Sequence, residues 1–262
     1  MGRSPTPCLY GWQGMTRKYT SHSELWMYAT DPAAWHLRYN MNVRGSTNAN
    51  MARGNAVEHG LELLLTDEFG TVTEETAIEA AVKSFNKETA LLVQRDDREK
   101  AAEQIPGFIT EAVKAFEPFG KCISTQTRLE IDLGVGLPIL GFDDFEFDGE
   151  PKLSIDLKTT TRIPSVLPDM AMQQASIYQA MRPDHKIIFV YVSPKKSQVF
   201  EINKADTIEV LESVKMRAKA MQTMRGLSND PKEIATLFAP SYSSFYWNDP
   251  VMRSEAKRIF GV

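Results

Sequence analysis

Residues 139–178 constrain the chain most: ILGFDDFEFDGEPKLSIDLKTTT, then MQQASIYQ a few residues on, reads as a hairpin feeding a helix. In GFDDFEF, strand period puts Phe142, Asp144, Glu146 and Asp148 on one face and Phe145 and Phe147 on the other. Asp148-Gly149 is a turn signal, after which alternation resumes with Leu153, Ile155 and Leu157 opposed to Ser154, Asp156 and Lys158. Two adjacent strands therefore bring Asp144, Asp156 and Lys158 to one place.

Two carboxylates side by side repel, which raises the pKa of one unless a cation lies between them. Hard oxygen ligands with few imidazoles favour Mg2+ or Mn2+ over zinc. A lysine two residues beyond the second acid aims its charge at the same point, to stabilise a phosphate oxyanion or to orient and help deprotonate an attacking water. Phosphodiester hydrolysis is the reaction these parts suit. The acid-x-Lys triplet alone is uninformative, because it recurs at Glu150 to Lys152, Asp184 to Lys186, Asp230 to Lys232 and Glu255 to Lys257. Only Asp156-Leu157-Lys158 lies in a clean strand alternation and follows Gly141-x-x-Asp144 at hairpin distance.

In order and spacing, Gly141 with Asp144, Asp156 with Lys158 and Thr159, and Gln174 with Tyr178 resemble the PD-(D/E)XK nuclease superfamily and, within it, the RecB-like and lambda-exonuclease-like exonucleases. Upstream, TSHSELWMYATDPAAWHLRY is similar to the segment that opens such domains, with Asp31 where a cysteine usually stands. The resemblance covers roughly residues 20–178. It implies a three-layer restriction-endonuclease-like α/β core with a mixed central sheet and a helical N-terminal part. The implied activity is a Mg2+- or Mn2+-dependent exonuclease acting on DNA to release 5'-phosphorylated products. Asp144, Asp156, the carbonyl of Leu157 and an acid or histidine on an upstream helix would be the ligands. Counting four residues on from Gly54 gives Glu58; His59, directly after it, is the alternative. Gln174 and Tyr178, at i and i+4, would share the helix face that meets the site. Many such enzymes serve phage-type recombination, replication or DNA degradation, beside a single-strand annealing protein or as homo-oligomers.

With 262 residues, 42% of them hydrophobic and 24% charged, the chain suits one large α/β domain. Residues 1–20 are expected as an irregular lead-in, 120–200 as the sheet core and 203–262 as a helical C-terminal part. No apolar run approaches the roughly 20 residues that span a bilayer, and no signal-type segment is visible, so a cytoplasmic protein without membrane contact is expected. Cys8 and Cys122 are too few for an iron-sulfur cluster or a four-cysteine zinc site. The net charge of -4 does not by itself point to nucleic acid, but acids gathered at a metal site are compatible with a local basic groove. Candidates for that groove are Lys152, Lys158, Arg162, Lys195, Lys196 and the run from Lys215 to Arg225.

Along the chain, Ser23 is expected to cap a helix ELWMYA, and Asp31-Pro32 to open a second. A helix carrying Glu58 should begin near Arg53 or Gly54, and Thr73 should cap the next. Ile105-Pro106 predicts a kink or break in a helix over 95–116. TQTRLEIDL over 125–133 should be the first strand, with Glu130 and Asp132 facing solvent. Residues 159–169 form a loop in which Thr159, Thr160 and Arg162 can touch a phosphate. KIIFVYVS and QVFEIN are two further strands, followed by a long helix over 207–225. Trp26, Trp35 and Tyr39 fall at core spacing. Tyr242, Phe245, Tyr246 and Trp247 either pack back on the domain or form an aromatic patch for single-stranded DNA. Two other readings share these features: an endonuclease on the same core, and a non-catalytic DNA-binding or assembly protein.

Overall fold

The computed structural model describes residues 17–92 and 95–261, so most of the predicted lead-in, with Cys8, lies outside the described residues. Five strands form one mixed sheet: β1 (Cys122–Ile131), β2 (Ile139–Phe147), β3 (Lys152–Thr159), β4 (His185–Ser193) and β5 (Lys196–Glu201), in that spatial order. Every neighbouring pair is antiparallel except β3 and β4. A parallel pair needs a long crossover, and α6 (Asp169–Met181) supplies it.

KIIFVYVS explains the layering. Its near-continuous apolar run suits a strand covered on both faces. Ile188, Val190 and Val192 enter one core with Phe145, Phe147, Ile155 and Leu157, while Ile187, Phe189 and Tyr191 enter the other. Over the first face lie α3 (Ala49–Leu65), α4 (Glu74–Glu88) and α5 (Arg95–Phe116). Over the second lie α1 (His22–Thr30), α2 (Pro32–Trp35), α6, α7 (Lys204–Arg225) and, beyond the short α8 (Pro231–Ala235), the C-terminal α9 (Pro250–Phe260). The molecule is thus α/β, a mixed sheet between two helical layers, with a helical N-terminal part. No described helix is long and apolar enough to cross a membrane.

Several element boundaries differ from the expected ones, each for a local reason. Ser21, not Ser23, caps α1, accepting from Glu24 N at 3.3 Å. Thr20 is bridged to β2 through Thr20 N→Pro138 O (2.9 Å) and Leu140 N→Thr20 O (2.8 Å), which keeps the chain extended through Ser21. α3 begins at Ala49 because Asn48 already offers a cap, accepting from Met51 N at 2.9 Å. α7 begins at Lys204 behind Asn203, which accepts from Ala205 N at 3.1 Å. β1 starts at Cys122 rather than Thr125. α5 runs through Pro106 as one helix; the proline faces solvent, and the fully buried Ile105, Phe108 and Ile109 anchor the helix on either side of it. The C-terminal aromatics divide: Trp247 is buried and donates to Asp31 Oδ2 at 2.8 Å, whereas Phe245 is exposed. Asp31 thereby caps α2 through Ala34 N (3.0 Å) and ties the C-terminal segment to the N-terminal helices.

Candidate active site

The site lies where β2 and β3 part. Their pairing runs from Phe147↔Leu153 to Phe145↔Ile155 and stops one residue short of Asp144 and Asp156. Asp144 Oδ2 turns into the gap and accepts from Leu157 N at 3.1 Å. Asp156, buried on β3, has Lys158 Nζ 2.6 Å from its Oδ2. The Gln174 amide of α6 donates to its Oδ1. Because the strands separate here, side chains from both helical layers reach one cleft of about 360 Å³, lined by Glu58 from α3 and by Gln174 and Tyr178 from α6, with Asp144, Asp156, Leu157 and Lys158 between them.

Strict alternation does not hold in β2. Asp143 rather than Asp144 turns to the side of Glu146: Asp143 Oδ1 accepts from Ser154 Oγ at 2.5 Å, and Arg182 Nη2 lies 3.6 Å from Asp143 Oδ2 and 3.1 Å from Glu146 Oε2. The irregularity coincides with the end of the β2–β3 ladder and with Gln126, at φ 49° on the neighbouring strand β1. Lys152, placed in the predicted groove, is instead paired with Glu146 Oε1 at 3.3 Å.

Electrostatics in the cleft are dominated by three acids. Burial, then Asp156 and Glu58, push the Asp144 carboxyl well above its ordinary range. Burial, then Asp156, push Glu58 up to about 7. For Lys158, burial works the other way and is outweighed by Asp156 and Asp144, so the ammonium is held above its usual pKa. Lys158 is therefore a charge donor rather than a proton acceptor near neutral pH.

Glu58 faces the cleft, where the Gln126 amide donates to it; His59 is half exposed beside Glu62, 3.9 Å away, and does not line the cleft. α3 approaches closely, since a Cβ on Gly54 would meet Thr159 Oγ1 at 3.2 Å. A Cβ on Gly141 would stand 2.8 Å from the Tyr178 ring, so only glycine lets α6 come this near β2. Tyr178 Oη then donates to Phe142 O at 2.6 Å and accepts from Phe142 N at 3.3 Å. Thr159, Thr160 and Arg162 do not line the cleft; half-buried Thr160 and exposed Arg162 are bonded to each other across the loop. In α7, Arg217 binds Gln173 and Arg225 binds the buried Glu24, so these cations are engaged within the fold.

Tyr19, Ser21, His22 and Ser23 form a wall of the cleft that sequence reasoning missed. His22 is held neutral, its pKa lowered to about 3 by burial and then by Lys158, and its buried Nδ1 has no hydrogen-bond partner among the described residues. Gln126 was missed as well. The signal for the wall was the extended Thr20-Ser21 ahead of α1; nothing local marks Gln126.

Among the described residues no three His, Cys, Asp or Glu side chains stand ready as a group to hold a metal ion. Glu58 is turned to Gln126, and Asp156 to Lys158 and Gln174. The donor set nevertheless fits a hard divalent cation. Burial, and then repulsion among Asp144, Asp156 and Glu58, raises Asp144 and Glu58, and added positive charge relieves the repulsion. Among the described residues, buried Asp156 Oδ2 is met by the Lys158 ammonium at 2.6 Å but has no other hydrogen-bond partner, which leaves a lone pair for a cation.

The fold is shared with the crystal structure of a "putative exonuclease" from Eubacterium rectale, which superposes with a TM-score of 0.55 over 84% of this chain and 88% of that one at 13% identity. The crystal structure of SSO0001 covers 62% of this chain and 84% of its own, with a TM-score of 0.32 at 18% identity, too distant to bear on the fold. No family model and no curated protein matches the chain.

Proposed function

We propose that this chain is a metal-dependent deoxyribonuclease that hydrolyses phosphodiester bonds from strand ends. The observation that carries the reading is the meeting of Asp144, Asp156, Glu58 and Lys158 in a gap between two strands, open to both helical layers. The likeness in fold to a protein named as an exonuclease supports it.

Asp144, Asp156 and Glu58, with the Leu157 carbonyl, would hold Mg2+ or Mn2+. When bound, such an ion supplies Lewis acidity to a phosphoryl oxygen and to water. Lys158, kept protonated by its carboxylate neighbours, stabilises negative charge that builds on the phosphate. Gln174 fixes the rotamer of Asp156, and Tyr178 fixes the peptide of Phe142 beside Asp144. Thr159, at the end of β3, and Thr160 and Arg162, on the loop that follows, would serve the DNA backbone outside the cleft. The wider reading is a cytoplasmic enzyme of phage-type DNA recombination, replication or degradation, working beside a single-strand annealing protein or as a homo-oligomer.

Incubation with linear and covalently closed circular duplexes, in Mg2+ or in EDTA, tests this. Loss of the linear DNA alone, blocked by EDTA, is the expected result. Nicked circles would make the chain an endonuclease, and intact DNA in every lane would contradict the proposal.

A further inference from the structure

Two aromatic side chains in the cleft are not used by the chemistry above. Tyr19 and Phe142 line it and stay 44% and 45% exposed, whereas Leu140, Leu157 and Tyr178 around them are buried. Single exposed aromatics are ordinary; two meeting at one carboxylate cluster, each on a fixed support, are not. Tyr19 precedes Thr20, whose backbone is bonded on both sides to β2. Phe142 has both its N–H and its carbonyl held by Tyr178 Oη. Neither ring is needed to fill a core, and neither is carried on a free loop.

The cleft measures about 360 Å³, toward the lower end of the roughly 300–1,000 Å³ of sites that hold one small molecule. A duplex, whose major groove alone is about 12 Å wide, does not enter it, but a single nucleotide does. Every base has a π face that stacks on an aromatic ring whatever its sequence. The serines and neutral His22 on the same wall offer hydrogen bonds without adding charge.

We infer that Tyr19 and Phe142 grip one base that has left its duplex, so that the substrate of this site is an unpaired strand end. This rests on the nuclease reading and narrows it. Base–aromatic stacking predicts that losing either ring weakens binding of an unpaired end roughly tenfold.

The test uses DNA ending in 2-aminopurine, either unpaired or clamped in a blunt duplex, with Ca2+ in place of Mg2+ to keep it bound. Wild-type protein is expected to quench the unpaired base and to bind that end more tightly than the blunt one. Tyr19→Ala and Phe142→Ala should each lose quenching and roughly tenfold in affinity for the unpaired end, with blunt-end binding and the melting temperature unchanged. Phe142→Tyr should restore both. Equal quenching by wild type and both alanine variants, no quenching by wild type, or blunt ends bound as tightly as unpaired ones would overturn the inference. Normal cleavage without quenching would sink this inference alone, whereas quenching without any Mg2+-dependent cleavage would sink the nuclease reading and leave the base site standing.

Discussion

Glu58 and His59 are neighbours in sequence but lie about 100° apart around a helix, and only Glu58 reaches the cleft. Glu58→Gln is therefore expected to raise the Mg2+ concentration for half-maximal cleavage, and His59→Gln to leave it unchanged; the reverse outcome in a metal titration would move the ligand to His59. Lys158→Ala should lower turnover by about two orders of magnitude with little change in that metal midpoint, and a parallel loss of metal affinity would count against its role as charge stabiliser. His36 gives a prediction away from the site. It is fully buried; its Nε2 donates to Pro231 O at 2.8 Å, and Asn40 Nδ2 lies 3.0 Å from its Nδ1. Burial lowers its pKa from 6.5 to about 4, against the opposing pull of the Pro231 bond. The folded state thus favours the neutral ring: its contribution is complete above pH 6.5 and is lost as pH falls through about 4. Denaturant melts of wild type and His36→Gln should diverge in slope over that window by on the order of 2–3 kcal/mol, and parallel curves would refute the assignment. At this scale sequence shows Asp144, Asp156 and Lys158 because one hairpin carries them. Tyr19 and His22 were not legible because they lie more than a hundred residues before the strand they meet, β2, and Gln126 was not because it lies 68 residues after Glu58.

β2 and α6 meet through a missing side chain. Gly141→Ala would put a methyl 2.8 Å from the Tyr178 ring, and overpacking of this kind costs about 1–3 kcal/mol. The variant should melt lower by a corresponding few degrees and lose activity through displacement of Gln174 and Tyr178, while Tyr178→Leu on the same background should recover stability but not activity. Unchanged melting in Gly141→Ala would mean that α6 is free to shift. Elements with a strong period, β2, β3, β4 and α6, are visible in the sequence. Boundaries are less so: Asn48, Ser21 and Asn203 start helices earlier than, or at a different residue from, the expected caps, because several polar residues there satisfy a helix end equally well locally and long-range contacts choose among them. At Pro106 the helix continues instead of breaking, anchored by Ile105, Phe108 and Ile109. The turn of Asp143 toward Arg182 follows from where the strand ladder ends, which alternation does not encode.

Across the whole molecule, the two helical layers have separate cores and share access to one gap in the sheet. The doubly buried β4 makes the layering legible, because its apolar run admits no solvent face. The joining of N- and C-terminal helices was not legible: it runs through the buried Glu24, which accepts from Arg17, Thr20, Trp35 and Arg225, and through the Asp31–Trp247 bond. A net charge of -4 likewise conceals that Asp144, Asp156 and Glu58 gather in one cleft. The proposed activity depends on these gathered acids, and Asp156→Asn tests that most directly. Removing this charge relieves repulsion with Asp144 and Glu58 while giving up the pairing with Lys158, so melting without metal should move by no more than a few degrees. Cleavage of an end-labelled linear duplex in Mg2+ should fall by at least about two orders of magnitude. An Asp156→Asn protein that folds as the wild type does and degrades the duplex at the wild-type rate would contradict the account.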